Sequence, residues 1–371
     1  MVRLGDVFER QITGEWGSEC LENETGTNIL RTTNFTSDGV INYNNVVVRS
    51  IEKSKVESKR LHYGDIILEK SGGTDKTPVG RVVFCDPYIE TGTYLCNNFT
   101  QAMRVNPSMA VPKYVFYFMW NLHWSGKTEL MQNKTTGIRN LQVKSYLNQA
   151  LPLPSLDEQR RIAAMLDKVT DLIFKRRQQL DKLDELVKAR FVEMFGDPVS
   201  NSKGLPTERG IDFFKLSNGR FVPEDKRFES GIPAYGGNGI SWYTDDALLN
   251  SDTLVVGRVG FLSGNVHFAK CPLWVTDNAM YVSYYDKTKY DLLFLCDLMK
   301  HIDFRRFQDA GDLKKITQKP FMNMEYIRPT LQQQHCYVSF VEQIEGVKAT
   351  IEHSLEKLET LKKALMQEYF G

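Results

Sequence analysis

The chain has 371 residues, long enough for two or more domains with real cores, and its 42% hydrophobic and 25% charged content is that of an ordinary globular protein. A formal net charge of +1 excludes a uniformly basic polyanion binder, so any nucleic-acid surface has to be a local patch balanced by acidic surface elsewhere. No apolar run approaches the roughly 20 residues of a membrane span, and the start MVRLGDVFERQ has no apolar signal core, so a cytoplasmic location with no membrane partner is expected.

Residues 1–150 read as a first domain of mixed sheet and loops. Short β-branched runs such as Asn45–Val48 and Asp65–Leu68 are punctuated by Gly, Asn and Asp. Residues 151–196 then read as one long helix. Pro154 precedes Ser155-Leu-Asp157-Glu158, a capping box, and the stretch ends at Gly196 before Asp197-Pro198. About forty residues at 1.5 Å each predict a helix on the order of 60 Å long. Residues 197–325 read as a second mixed domain, with a strand at Thr253–Val256 and a glycine-rich tight turn in Ile232-Pro-Ala-Tyr-Gly-Gly-Asn-Gly-Ile240. That turn fits a plain strand connection, and it also fits a backbone brought close to a phosphate. Trp274, in Pro272–Ala279, reads as core.

Residues 326–371 repeat the helix. Leu151–Gly196 and Tyr326–Gly371 align without a gap at an offset of 175 (371 − 196). Pro154 matches Pro329, Gln159 matches Gln334, and Phe195-Gly196 matches Phe370-Gly371. Thr330-Leu-Gln-Gln333 repeats the capping device, and Gly346 is expected to weaken the second helix locally.

Both helices carry a heptad-like seam: Ile162, Leu166, Val169, Ile173, Leu180, Leu183 and Val187 in the first, and Tyr337, Val341, Ile344, Ile351, Leu355, Leu358 and Leu365 in the second. Arg176, Arg190, Lys348 and Lys362 interrupt it, either to fix register or as snorkelling side chains on a loose seam. The fold class is therefore α+β: two mixed α/β domains separated by two long helices packed as an antiparallel coiled coil, with internal pseudo-two-fold symmetry. Such an object suits a target that presents two similar places to bind.

The two domains themselves match only weakly and with insertions, Gly64–Gly72 and Gly80-Arg-Val82 pairing with Asp252–Gly260 and Gly264-Asn-Val266. The six cysteines form no C-x-x-C pair and the six histidines no ligand motif, so no metal is expected. Methyltransferase, P-loop and metal-nuclease motifs are not found; Asn106-Pro-Ser and Asp86-Pro-Tyr are near misses. Three readings stay open on the residues alone: a DNA-binding specificity protein, a coiled-coil adaptor whose sheet domains bind protein, and a cryptic nuclease or methyltransferase.

The helix start Leu151-Pro-Leu-Pro-Ser-Leu-Asp-Glu-Gln159, its copy at Pro329–Gln334, the Ile232–Ile240 run, Val256–Gly260 with Trp274–Ala279, and Leu4-Gly-Asp-Val7 together resemble the specificity subunit of type I restriction–modification systems. The resemblance covers essentially the whole chain. It departs from the usual pattern at Thr330–Gln334, which lacks the acidic residue, and the first domain has no clear copy of the Tyr-Gly-Gly-Asn-Gly run. It implies a non-catalytic DNA-binding chain with a target-recognition domain in 1–150, a central conserved helical region in 151–196, a second recognition domain in 197–325 and a C-terminal conserved helical region in 326–371. In that arrangement each recognition domain reads one half of a bipartite double-stranded DNA site. The helices set spacing and dock two methyltransferase subunits, and motor–nuclease subunits join the assembly. S-adenosylmethionine, Mg and ATP are then expected only in partner subunits, with no cofactor in this chain. Basic or polar residues in glycine-rich segments are the candidate DNA contacts: Lys70, Lys76 and Arg81 in the first domain, and Asn238, Arg258, Lys314 and Lys315 in the second. Lys/Arg clusters at Arg49–Arg60 and Lys300–Lys319 are further candidates for phosphate-facing surface.

Overall fold

The structure is a computed structural model that describes residues 1–21, 25–74, 77–135, 138–311 and 314–371, with backbone only at 134 and 135. The long helices form where their start and stop signals put them, at Leu156–Phe195 and Leu331–Phe370. Gly196, at φ +73°, takes the left-handed conformation that ends the first. Gly346 does not interrupt the second, where the Thr350 hydroxyl donates to its carbonyl (3.1 Å). The two caps differ. Thr330 and Gln333 form the complete reciprocal box, the Thr330 hydroxyl accepting from Gln333 N (3.3 Å) and Gln333 Oε1 accepting from Thr330 N (3.0 Å). In the first copy only half of it exists. Ser155 Oγ accepts from Glu158 N (3.3 Å), but the Glu158 carboxylate is taken by Arg161 at 2.6 and 2.9 Å. A strong local cation outcompetes the reach back to the cap.

Two compact units divide the chain, Met1–Arg177 with Ser354–Gly371, and Gln178–His353. Each long helix gives one half to each unit. In the first unit a four-stranded sheet runs in the order Phe8–Thr13, Thr100–Val105, Ile66–Glu69, Val82–Phe84. A three-stranded sheet places Thr27–Leu30 between Val47–Arg49, antiparallel, and Tyr94–Cys96, parallel. A further sheet joins Gln132–Thr135, Ile138–Leu141 and Ser71–Gly73, and Val2–Arg3 pairs with Ala150–Leu151. The helix Pro112–Trp124 lies in the same core as the first half of the long helix: Val115, Phe118 and Met119 are buried with Ile162, Leu166, Val169 and Ile173, and with Leu365, Met366 and Phe370 of the second helix. Leu355 and Leu358 pack at its edge.

The second unit repeats this plan. Its four-stranded sheet runs Phe214–Asn218, Ala279–Tyr285, Thr253–Gly257, Val266–Ala269. Its three-stranded sheet places Ile232–Gly236 between Gly239–Thr244, antiparallel, and Trp274–Val275, parallel. Thr207–Arg209 pairs with Glu325–Ile327, and the helix Leu292–Ile302 packs with Phe191, Phe195, Tyr337 and Val341. Apart from the sheet of Gln132–Thr135, Ile138–Leu141 and Ser71–Gly73, which belongs to the first unit, strand order, strand direction and the position of the domain helix are the same in both units, a stronger match than the two domain sequences show.

Within each unit the long-helix segments run antiparallel. In the first, Arg161 lies by Tyr369 and Arg177 reaches Glu359 at 2.9 Å. In the second, Asp184 meets Lys348 at 2.9 Å and Arg190 stacks over Phe340 at 5.7 Å. All the seam residues predicted from sequence are buried or half-buried. The polar breaks resolve individually. Lys348 ties the helices across the seam, Arg190 pairs with Glu193 on its own helix (2.8 Å), and Lys362 is only 9% exposed beneath Trp120 at 4.3 Å. Burial lowers the Lys362 pKa below its ordinary value.

Candidate nucleic-acid interface

Each domain is fastened to its helices by the same device. Gln159 is buried; its Oε1 accepts from Val111 N at 2.9 Å, at the start of the helix Pro112–Trp124, while Nε2 donates to Pro154 O at 2.9 Å. Gln334, also buried, accepts from Asp291 N at 2.8 Å and donates to Lys289 O and Pro329 O, each at 2.9 Å. A phenol–carboxylate bond adds to each: Tyr117 donates to Asp167 (2.6 Å) and Tyr337 donates to Asp297 (3.0 Å). The side chain that long helix and domain helix share is thus satisfied on both ends, which orients the domain rigidly on its own helix segment. The sequence pairs Gln159 with Gln334 and Pro154 with Pro329, but not the domain backbone groups that the glutamines bind, because those lie more than forty positions away.

In the second unit, loops from distant parts of the chain converge on one end of the sheets. The turn after Ile232–Gly236 carries Gly237 and the exposed Asn238, and Gly239 has φ +97°. Here the run is a strand connection. The strand Thr253–Gly257 ends directly against it: a Cβ on Gly257 would lie 2.3 Å from Gly237 O, and one on Gly237 would lie 3.2 Å from Val259 O. Arg258 N donates to Asn278 O at 3.0 Å, and Arg258 O accepts from Ile316 N at 3.0 Å. Gly260 N donates to Lys314 O (2.8 Å), and Val259 bridges to Lys315. Asn238, Arg258, Lys314 and Lys315, chosen from sequence separately, therefore belong to one loop cluster. Trp274, read from sequence as core, is half-buried, and its indole donates to Arg220 O at 2.8 Å.

The first unit arranges its candidates differently. Lys70 ends the strand Ile66–Glu69 and its carbonyl accepts from Leu141 N. Arg81 forms a two-point pair with the buried Glu69, at 2.8 and 2.9 Å, and donates to Thr32 O at 3.3 Å. Its partly exposed guanidinium braces the loop after Thr27–Leu30. Lys76 lies outside the described residues. The two loop ends correspond in their backbone bonding: Gly80 N donates to Glu69 O (3.0 Å) as Gly264 N donates to Gly257 O (2.7 Å). The Arg49–Arg60 cluster is largely paired, Arg49 with Glu19 and over Trp16, Lys55 and Lys59 with Glu15, and Arg60 with Glu90. In Lys300–Lys319, Lys300 pairs with Asp297 and Arg305 with Asp303.

Elsewhere in the second unit a cleft of about 1590 Å³ is lined by charges of both signs, among them Asp184, Lys188, Lys300, Glu345 and Lys348. His267 stands in it, its pKa lowered by burial and by the nearby Lys300. Among the described residues no group of three or more His, Cys, Asp or Glu side chains is placed to hold a metal ion, and no helix is long and apolar enough to cross a membrane.

Duplicated mixed-sheet domains carried on an antiparallel pair of long helices define a class, and known proteins share it. A crystal structure of a type I restriction–modification system S subunit from M. genitalium superposes with a TM-score of 0.64 at 16% identity, covering 100% of this chain and 95% of that one. A second structure, described as the basis of complex assembly and conformational transition of the type I R-M system, superposes with a TM-score of 0.55 at 16% identity, covering 100% and 96%. The specificity subunit of the type I restriction enzyme EcoprrI from Escherichia coli is 24% identical over 188 residues, so the match spans about half of each chain, 46% of both. Residues 1–184 match the family model of the type I restriction modification DNA specificity domain. The chain is thus similar to type I restriction–modification specificity subunits, by family model over residues 1–184 and by fold over its whole length.

Proposed function

We propose that the chain is the DNA sequence-specificity subunit of a type I restriction–modification complex, acting without a catalytic centre of its own. Each of its two recognition domains reads one half of a bipartite double-stranded DNA site. The two helices set the spacing and dock two methyltransferase subunits, and motor–nuclease subunits complete the assembly. S-adenosylmethionine, Mg and ATP serve those partners, in the cytoplasm. The observation that carries this reading is the repeated topology: one sheet order and one glutamine clamp occur twice, while the loops at the domain ends differ. A scaffold kept the same with variable tips is what two related but distinct readings need, since groove readout depends on the side chains that loops present. Direct contacts in the second domain come from Asn238, Arg258, Lys314 and Lys315, and in the first from Lys70, with Arg81 holding its loop in place.

Co-expression with a partner methyltransferase followed by methylation mapping tests this. A two-part site separated by a fixed non-specific spacer is expected, and binding should weaken steeply with salt as phosphate counterions are displaced. A complex that retains no duplex would favour a protein-binding adaptor instead.

A further inference from the structure

The loop that joins Thr253–Gly257 to Val266–Ala269 holds a large aromatic side chain out in water. Phe261 is 83% exposed. Isolated exposed apolar residues are common on protein surfaces and need no explanation by themselves. What sets Phe261 apart is the frame that holds it. Gly257 N donates to Asn265 O (2.9 Å), Gly264 N to Gly257 O (2.7 Å), Ser263 N to Gly260 O (3.0 Å) and Asn265 N to Leu262 O (3.1 Å). From outside the loop, Gly260 N donates to Lys314 O (2.8 Å), and Gln308 Nε2 donates to both Phe261 O (2.9 Å) and Ser263 O (2.7 Å). Gly260 and Gly264 both take φ +96°, which fixes the bends on either side of the aromatic residue. The backbone is thus tied at nearly every position, while the ring stands free.

Its own segment and the segments bonded to it carry basic and aromatic residues. Arg258 lies three residues before it and Lys314 is bonded to its neighbour. Arg306, stacked over the half-exposed Phe307 at 4.9 Å, precedes the clamping Gln308. An exposed apolar tip on a loop bonded to basic segments matches the chemistry of a nucleic-acid duplex, whose apolar base stack is bordered by phosphates. A rigid frame matters because a wedge that enters a base step pays for unstacking and gains nothing if its own loop yields first.

We propose that Phe261 is a wedge that enters one base step of the half-site read by the second domain, so that the deformability of that step contributes to specificity. This rests on the proposed reading of the chain as a DNA-specificity subunit. The test uses the full chain assembled with its methyltransferase and a duplex carrying its methylation-mapped site, with 2-aminopurine placed in turn at each position of the second half-site. Wild type should raise the fluorescence at one step. Phe261→Ser should abolish that rise and bind roughly 10- to 100-fold more weakly, while Phe261→Trp should retain both. Unchanged affinity and fluorescence in Phe261→Ser would overturn the wedge while leaving the specificity reading intact. Weakened binding with the fluorescence rise preserved would overturn it as well, making Phe261 a surface contact only. A wild-type complex that binds no duplex would overturn both readings.

Discussion

A single side chain repeated at one offset holds each mixed-sheet domain on its helix. Replacing Gln334 by Leu would leave Asp291 N–H and the Lys289 and Pro329 carbonyls without their buried partner. Stranded buried groups cost about 1–3 kcal/mol each, with partial relief by water, so a loss of about 2–4 kcal/mol is expected in urea unfolding of the full chain. A loss below about 0.5 kcal/mol, the size of an ordinary surface change, would show the clamp to be incidental. Lys362 makes the opposite case. Its pKa is lowered by burial from the ordinary 10.5, so the folded state holds its proton less tightly than the unfolded chain does. The cost of burying the charge is therefore fully present below the folded pKa, and stability recovers as pH rises from that value towards 10.5. Lys362→Met should raise the unfolding free energy at neutral pH by about 1 kcal/mol or more, read as a higher unfolding midpoint, and flatten this alkaline rise. A lower midpoint would mean that the cation over Trp120 is worth more than its desolvation costs.

At the scale of elements, the close approach of two loop glycines is a test of how this end of the second unit is built. A Cβ on Gly257 meets Gly237 O at 2.3 Å, a backbone atom that cannot turn aside, whereas one on Gly239 meets nothing within 4 Å and suffers only its φ of +97°. Gly257→Ala should therefore cost more stability than Gly239→Ala, about 2–3 kcal/mol against about 1–2, read by thermal unfolding. The reverse order would place the two loops further apart than described. The same glycines show what the sequence carries. The long helices were legible to their ends because capping residues, seam and terminal glycine all agree over forty positions. The shared domain topology was not, because sheet order depends on pairings between strands such as Thr27–Leu30 and Tyr94–Cys96, more than sixty residues apart, and periodicity is silent about them. Asn238, Arg258, Lys314 and Lys315 stand out in sequence as polar or basic residues of loop segments, but their gathering into one cluster depends on pairings such as Val259 with Lys315, which the sequence does not show. Arg81 looks identical in sequence, yet Glu69, twelve positions before it, engages its guanidinium in a two-point pair. Phe261 carries no sequence signal, since exposure of an aromatic residue is decided by the fold around it.

For the whole molecule, the duplication has a consequence for fragments. Residues 354–371 complete the first unit, and at the repeat offset they correspond to 179–196. A second copy of Met1–Ser200 can thus supply Leu180, Leu183, Phe191 and Phe195 where Leu355, Leu358, Met366 and Phe370 pack. The fragment should form a homodimer with an inverted-repeat site when co-expressed with the methyltransferase. The weak point is Arg190, which falls where Leu365 is buried. Arg190→Leu should tighten the fragment dimer by roughly 10-fold or more in sedimentation analysis, since one buried leucine side chain is worth about 1.5–3 kcal/mol. A monomeric fragment in both forms would show that the helix halves are not interchangeable.

The most direct test of two domains reading two halves is exchange of one of them. Replace residues 197–325 by the equivalent region of another specificity subunit, assemble the hybrid with the methyltransferase, and map its methylated sites. The account predicts that one half of the site changes to that of the donor while the other half stays as it was. A hybrid whose site changes in both halves, or in neither, would contradict it.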